Sequence, residues 1–240
     1  MRGAFVPLVA VALLELLSRA HAIDPVLFPA PSVILVATVG AIGPLCREGA
    51  LTVARAAVSF FVALLFAIPF GLVLGRSDRL HALFRPSVDG LRTLPAAAIV
   101  PIAILLLGID TTMKIAVAAF GAAWPVLLAT IDGVHAVSPV MRDTIRTLHL
   151  TRRQAFVRVI FPAALPYILT GARISLSVTL ILAVTVEMVA GDSGLGFFVL
   201  DAERSFRFPE MYGGVAVLAL IGAVLNWGMR ALERRLVYWR

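Results

Sequence analysis

Apolar residues run along this chain in long unbroken blocks, without the alternation of apolar and polar positions that marks a barrel strand. Lipid admits only helices or closed barrels as spanning structures, so such blocks predict transmembrane helices. A span takes about 20 mostly apolar residues. Six blocks qualify, at roughly 4–20, 50–75, 93–109, 113–131, 164–190 and 211–230. A further run, PSVILVATVGAIGPL at 31–45, is too short to span and is bracketed by Pro31 and Pro44, which predicts an interfacial or re-entrant helix. The expected fold is an all-α polytopic membrane protein of six transmembrane helices. No repeat and no linker rich in Ser, Gly or Pro divides it, so residues 1–240 read as a single membrane domain.

The segment between the fourth and fifth blocks, 138–163, has a different pattern. Ser138-Pro139 supplies an N-cap and a first helical residue. Ile145, Leu148 and Leu150 then interleave with Arg142 and Arg146, which are four apart and share a face. Thr151 offers a second cap, after which Phe156, Val159 and Ile160 recur beside Arg152, Arg153 and Arg158. Two short amphipathic helices at a membrane surface are expected, with a break at His149–Thr151. Pro162 and Pro166 are expected to end the second helix and start the fifth span, where a missing N–H costs little.

Composition agrees with the block pattern. The 240 residues are 60% hydrophobic and 15% charged, and the mean hydropathy of +0.98 exceeds what a water-soluble domain carries. Cytoplasmic loops hold the excess of Arg and Lys. With the N-terminus inside, fourteen of the 21 basic residues fall on the inner side, five on the outer side, and Arg55 and Arg173 within spans. Both termini are therefore expected in the cytoplasm, and the net charge of +7 needs no nucleic-acid partner. Arg2, the apolar stretch after it and Ala20-His21-Ala22 share the layout of a cleavable signal peptide, whereas Glu15 inside that stretch favours a retained span.

Candidate chemistry is sparse. Cys46 is the only cysteine and excludes an internal disulfide; histidines at 21, 81, 135 and 149 form no metal-ligand cluster in the sequence. No G-x-x-x-x-G-K-[ST] occurs, so this chain has no ATP-phosphate loop of the usual kind. Gly191-Asp192-Ser193-Gly194 invites an intramembrane serine-protease reading, but every histidine precedes Ser193 and three map to the opposite side; the glycines fit a turn better. Glu187, late in the fifth block, either orders a gate or the packing around a pathway, or is a carboxylate within reach of interfacial water. Arg55 and Arg173 either snorkel to an interface or attract an anion. Thr52, Ser59, Ser175, Ser177, Thr179 and Thr185 could face a pore or bond to backbone and neighbouring helices.

The 138–163 loop resembles the cytoplasmic signature of binding-protein-dependent ABC importer permeases, E-A-A-x3-G-x9-I-x-L-P. Asp143-Thr144-Ile145 takes the place of Glu-Ala-Ala, His149 that of Gly, Val159 that of Ile, and Phe161-Pro162 closes the motif with its spacing intact. The residues 161–207, 91–109 and 49–77 and the ALERRL near the end are similar to the subfamily that imports sulfonates, taurine and nitrate. The likeness covers about 25–240 and is strongest over 50–240. It implies the type I importer permease fold, with this loop as a coupling helix docked on a cytoplasmic ATPase, and Asp143, Arg146, Thr147, Leu148, His149 and Arg152 as coupling residues. Asp143 and the arginines would pair with a charged rim while Ile145 and Leu148 enter the partner's groove. His149 in the glycine position is expected to alter the turn.

The resemblance further implies a location in the bacterial inner membrane and pairing with a second permease copy. Two ATPase subunits would hold ATP and Mg, with no cofactor, metal or catalytic residue in this chain. An external binding protein would deliver a small anion. Arg55, Thr179 and Glu187 are the pathway or gate candidates. The alternative function is an ion-coupled secondary transporter using Glu187 as a proton site, which would transport without an ATPase.

Overall fold

The computed structural model describes residues 2–237, apart from the side chains of residues 2–4, 7, 139, 142 and 146. Helices follow one another as α1 (Arg2–Arg19), α2 (Pro31–Gly40), α3 (Ile42–Gly75) and α4 (Asp78–Arg92). A 3-10 turn (Ala96–Ile99) leads into α5 (Val100–Leu107), followed by α6 (Thr111–His135), α7 (Pro139–Thr147) and α8 (Arg152–Ala155). A π-helical turn (Phe156–Ile160) joins α8 to α9 (Phe161–Ala190), and α10 (Leu195–Arg204) and α11 (Phe208–Leu236) complete the chain. Among the described residues there is no strand.

Four continuous helical stretches are long and apolar enough to cross a membrane: 42–75, 111–135, 152–190 and 208–236. A fifth candidate is the pair α4 and the 96–107 segment, bent by 84°. The third block is thus not a straight span. Its twelve-residue helical stretch is preceded by a helix where the sequence reading placed a basic inner loop. Two further boundaries move for identifiable reasons. Pro44, expected to bracket the 31–45 run, sits instead in the first turn of α3, where no intrahelical N–H is needed, and the helix of that run stops at Gly40. Pro162 does not end a helix either. The Phe161 N–H bonds the Phe156 carbonyl five residues back, and this wider π-turn accommodates the proline while the helix continues to Ala190. Leu105, Leu106, Phe66 and Trp227 are largely exposed, as apolar side chains facing lipid should be.

The chain packs as two compact units. The first contains residues up to Val53 and Glu187–Ile221. In it the Glu15 carboxylate accepts from the Ser32 amide at 3.0 Å, the Ser32 hydroxyl at 2.8 Å and Arg19 Nε at 2.6 Å, tying the end of α1 to the start of α2. The Ser18 hydroxyl and the Tyr212 phenol donate to the carbonyls of Phe28 and Leu27, fixing the connection between those helices. Arg207 bridges Asp201 and Glu210.

The second unit contains Ala54–Val186 and the chain from Gly222 onward. Its core joins Phe60, Leu74, Val126, Ile131, Ile168 and Met229. Small residues let its helices approach closely, as membrane helices require in the absence of a hydrophobic drive between them. A Cβ on Gly171 would come within 2.5 Å of the Ala129 Cβ, an overlap worth about 1–3 kcal/mol of strain. The Ser175 hydroxyl donates to the Ala122 carbonyl at 2.6 Å and links α9 to α6. Lys114, counted with the outer loop charges, is buried in the first turn of α6.

Candidate functional site

The 138–163 loop folds as two helices held at a fixed break. Ser138 caps α7 by accepting the Met141 amide at 3.3 Å. Thr151 and Gln154 form a reciprocal capping box at the start of α8. Between them His149 takes φ +47°, the left-handed conformation that a glycine adopts most easily. The Leu150 amide returns to the Ile145 carbonyl at 3.1 Å, the long bond of a Schellman ending with His149 at the position usually held by glycine. The expectation that His149 alters the turn is therefore corrected: histidine is among the residues that enter this region more readily than most, and the glycine-type turn is kept.

The coupling candidates fall on one exposed ledge. Asp143, Thr147, Leu148, His149 and Arg152 are exposed, Leu148 by 62%. Val140 and Thr144 extend the same face of α7 at helical spacing, Val140 with 74% exposure. The Arg146 side chain, like that of Arg142, lies outside the described residues. Ile145, paired with Leu148 in the sequence reading, has another place: it is half-buried and lines a cleft of about 230 Å³ with Arg76, Val134, Val137 and Ile160. Beneath the loop, the Arg76 guanidinium stands 5.1 Å from the Phe156 ring centroid, a contact worth about 0.5–1 kcal/mol that braces the π-turn. The ledge is thus an apolar and polar surface mounted on a packed base.

Glu187 is fully buried and has a definite task in the first unit. The amides that open α10 meet three acceptors in succession: Gly194 donates to Glu48 at 2.6 Å, Leu195 to the Thr52 hydroxyl at 2.8 Å and Gly196 to Glu187 at 3.1 Å. The Thr52 hydroxyl in turn donates a hydrogen bond to the Glu187 carboxyl group at 2.8 Å. Negative charge at a helix N-terminus also complements the macrodipole. Gly194 has φ +104°, and a Cβ there would lie 2.2 Å from the Glu187 carboxyl carbon, so no other residue fits. The interfacial-water reading of Glu187 gives way to this buried cradle. Only the acidic residue in an apolar run and the glycine cluster hinted at it, because its other members lie about 140 positions away.

The remaining candidates are accounted for locally. The Thr179 hydroxyl is buried and donates to the Ser175 carbonyl of its own helix at 2.7 Å. Arg55 is 8% exposed and sits deep in α3, because that helix begins at Ile42 and not near residue 50; a side chain snorkelling from one turn inside a helix end does not describe it. Arg173 reaches Glu233 at 3.3 Å. The Ser193 hydroxyl donates to the adjacent Asp192 carboxylate at 3.0 Å. The His81 and His135 rings, remote in sequence, come within 5.2 Å of one another. Among the described residues no group of three His, Cys, Asp or Glu could hold a metal ion.

Residues 67–238 match the family described as binding-protein-dependent transport system inner membrane component. The chain is 31% identical over its whole length to the putative aliphatic sulfonates transport permease protein SsuC of Bacillus subtilis (strain 168), covering 88% of that protein. It is 34% identical to the taurine transport system permease protein TauC of Escherichia coli (strain K12), over 90% of this chain and 82% of that one. The nitrate import permease protein NrtB of Synechocystis sp. is 33% identical over 76% and 66% of the two chains. Inward-facing conformations of the MetNI methionine ABC transporter superpose with a TM-score of 0.68 at 18% identity, covering 78% of this chain and 93% of that one. An amino acid ABC transporter reaches 0.66 at 17%, covering 82% and 94%. These structures share the fold.

Proposed function

Since the chain belongs to the inner membrane components of binding-protein-dependent transport systems, the permease subunits of ABC importers, we propose that it carries a small anion of the sulfonate, taurine or nitrate kind and engages its ATPase through the α7–α8 ledge. In this family ATP hydrolysis lies in a separate subunit, so the chain is a transport component and not itself an enzyme. Its fold is that of the type I importer permeases.

The ledge carries the reading. Val140, Thr144, Thr147 and Leu148 form an outward stripe flanked by Asp143, while caps at Ser138 and Thr151 and the base around Arg76 and Phe156 hold it. A rigid surface transmits displacement from an ATPase into the membrane helices. The route here is short, since α8 runs through the π-turn into α9 without interruption. The partners are a second copy of this chain, two cytoplasmic ATPase subunits and an external binding protein, with both termini of this chain in the cytoplasm.

Reconstitution tests the whole reading. Permease, its ATPase and its binding protein are placed in liposomes, and uptake of taurine, an alkanesulfonate and nitrate is measured with and without ATP. ATP-dependent uptake of one of them is expected. Uptake that persists without the ATPase would replace this reading with ion-coupled transport. Reporters fused after Arg85 and at the C-terminus should read cytoplasmic and one within 197–207 external; an external C-terminus would overturn the orientation.

A further inference from the structure

At the end of the second unit, α9 and α11 enclose a cleft of about 290 Å³ lined by Pro166, Arg173, Arg230, Glu233, Arg234 and Val237. Arg230, Glu233 and Arg234 at i, i+3 and i+4 share one face of α11, Val237 follows just past its end, and Pro166 and Arg173 are two turns apart on α9. Three arginines and a single carboxylate line the cleft. Glu233, with a side chain only 20% exposed, is engaged by Arg173 at 3.3 Å. Among the described residues Arg230 and Arg234 have no ion-pair partner, so the lining of the cleft carries two forked donors beyond the Arg173–Glu233 pair.

Depth in the membrane follows from α11 itself. Its apolar run ends at buried Met229, and Trp227 is 71% exposed just before the arginines. Tryptophan at that point marks the level of the lipid headgroups, whichever leaflet it is. The cleft holds roughly ten times the ~30 Å³ that a liquid water molecule occupies, room for a phosphate group with its glycerol. An ion network serving only stability would bring carboxylates to match its arginines.

We infer that this cleft binds the phosphate group of an anionic phospholipid, with Arg230 and Arg234 as bidentate donors and Glu233 holding Arg173 in place beside them. The site lies outside the transport reading and does not depend on it. Guanidinium is suited to the role because its planar fork matches phosphate oxygens in pairs. A soluble phosphate offers the same oxygens, so the test separates the two sources.

The purified full transporter in detergent is titrated with cardiolipin, and in parallel with inorganic phosphate, with bound species counted by native mass spectrometry. The variants are Arg230→Gln/Arg234→Gln and, as a control at another exposed arginine, Arg204→Gln. Each arginine near an anionic lipid surface is worth roughly fivefold in binding, so the double variant should hold cardiolipin about thirtyfold more weakly, while Arg204→Gln binds as the parent does. Loss of cardiolipin alone assigns the cleft to a lipid headgroup. Parallel loss of inorganic phosphate assigns it to the phosphate group whatever carries it. Undiminished cardiolipin binding in the double variant, or an equal loss in Arg204→Gln, overturns the inference. If the double variant does not assemble, Arg230→Gln alone carries the test, with about fivefold expected.

Discussion

Among the helix ends with positive-φ backbone, those at His149 and Gly194 solve the same problem in opposite ways. At His149 the turn closes on its own neighbours: every bond reaches at most five residues, from Leu150 to Ile145 and from Gln154 to Thr151. At Gly194 the helix start is closed by Glu48, Thr52 and Glu187, two of them drawn from more than 140 positions away. The first is exposed and tolerates a side chain at positive φ; the second is buried, and a Cβ there would strike the Glu187 carboxyl. A local exposed turn costs little to disturb but can meet a partner. A buried long-range cradle is invisible to partners, yet it holds the fold, since each unmet charged hydrogen bond inside leaves a desolvated group behind.

The largest effect should come from Glu187→Ala. It strips the Gly196 amide and the Thr52 hydroxyl of their buried acceptor, at a cost of about 3 kcal/mol or more. Thermal unfolding in detergent should show the loss directly, and Glu187→Gln, which keeps an acceptor oxygen, should recover part of it. Normal stability with abolished uptake in Glu187→Ala would move this residue from the scaffold to the pathway.

Next in size is the Asp143→Ala/Arg146→Ala pair. Insertion and unfolding temperature should stay at parental values, because neither residue belongs to a predicted span. Docking of the ATPase should weaken by about 2 kcal/mol if these charges become desolvated at an interface, against roughly 0–1 kcal/mol for pairs that remain exposed. Binding of purified ATPase and the ratio of uptake to hydrolysis measure it. Parental values for both, repeated for Leu148→Ala, would remove the ledge from the coupling surface.

Smaller still is Thr151→Ala, which removes one half of the capping box and should cost about 1 kcal/mol. Hydrogen exchange at the Gln154 amide is the readout, with unchanged protection arguing that α8 is held by the π-turn alone. The smallest change, and the only favourable one, is His149→Gly. Relief at φ +47° should stabilise the turn by at most about 1 kcal/mol, leaving coupling equal or improved. Loss of coupling in His149→Gly would mean that the imidazole itself touches the partner and would break the contrast between the two turns.

The block pattern alone determined that this is a helical membrane chain, because spanning lipid demands uninterrupted apolar helix and the hydropathy of 20 or so residues is a local property. The two caps of the ledge were equally legible. Ser138 and Thr151 meet partners three residues on, and so the chemistry and its target lie in the same few letters. Tertiary structure decided the rest. Whether Pro162 breaks a helix depended on a π-turn that Arg76 braces from another segment. Glu187 was visible as an anomaly but not as a cap, and nothing in the spacing of Arg230 and Arg234 pointed to the Arg173 of α9 that shares a cleft with them. Sequence fixes which groups must be satisfied; only the fold chooses their partners when those partners are distant in the chain, because the buried environment that makes an unmet polar group costly exists only once the helices have packed.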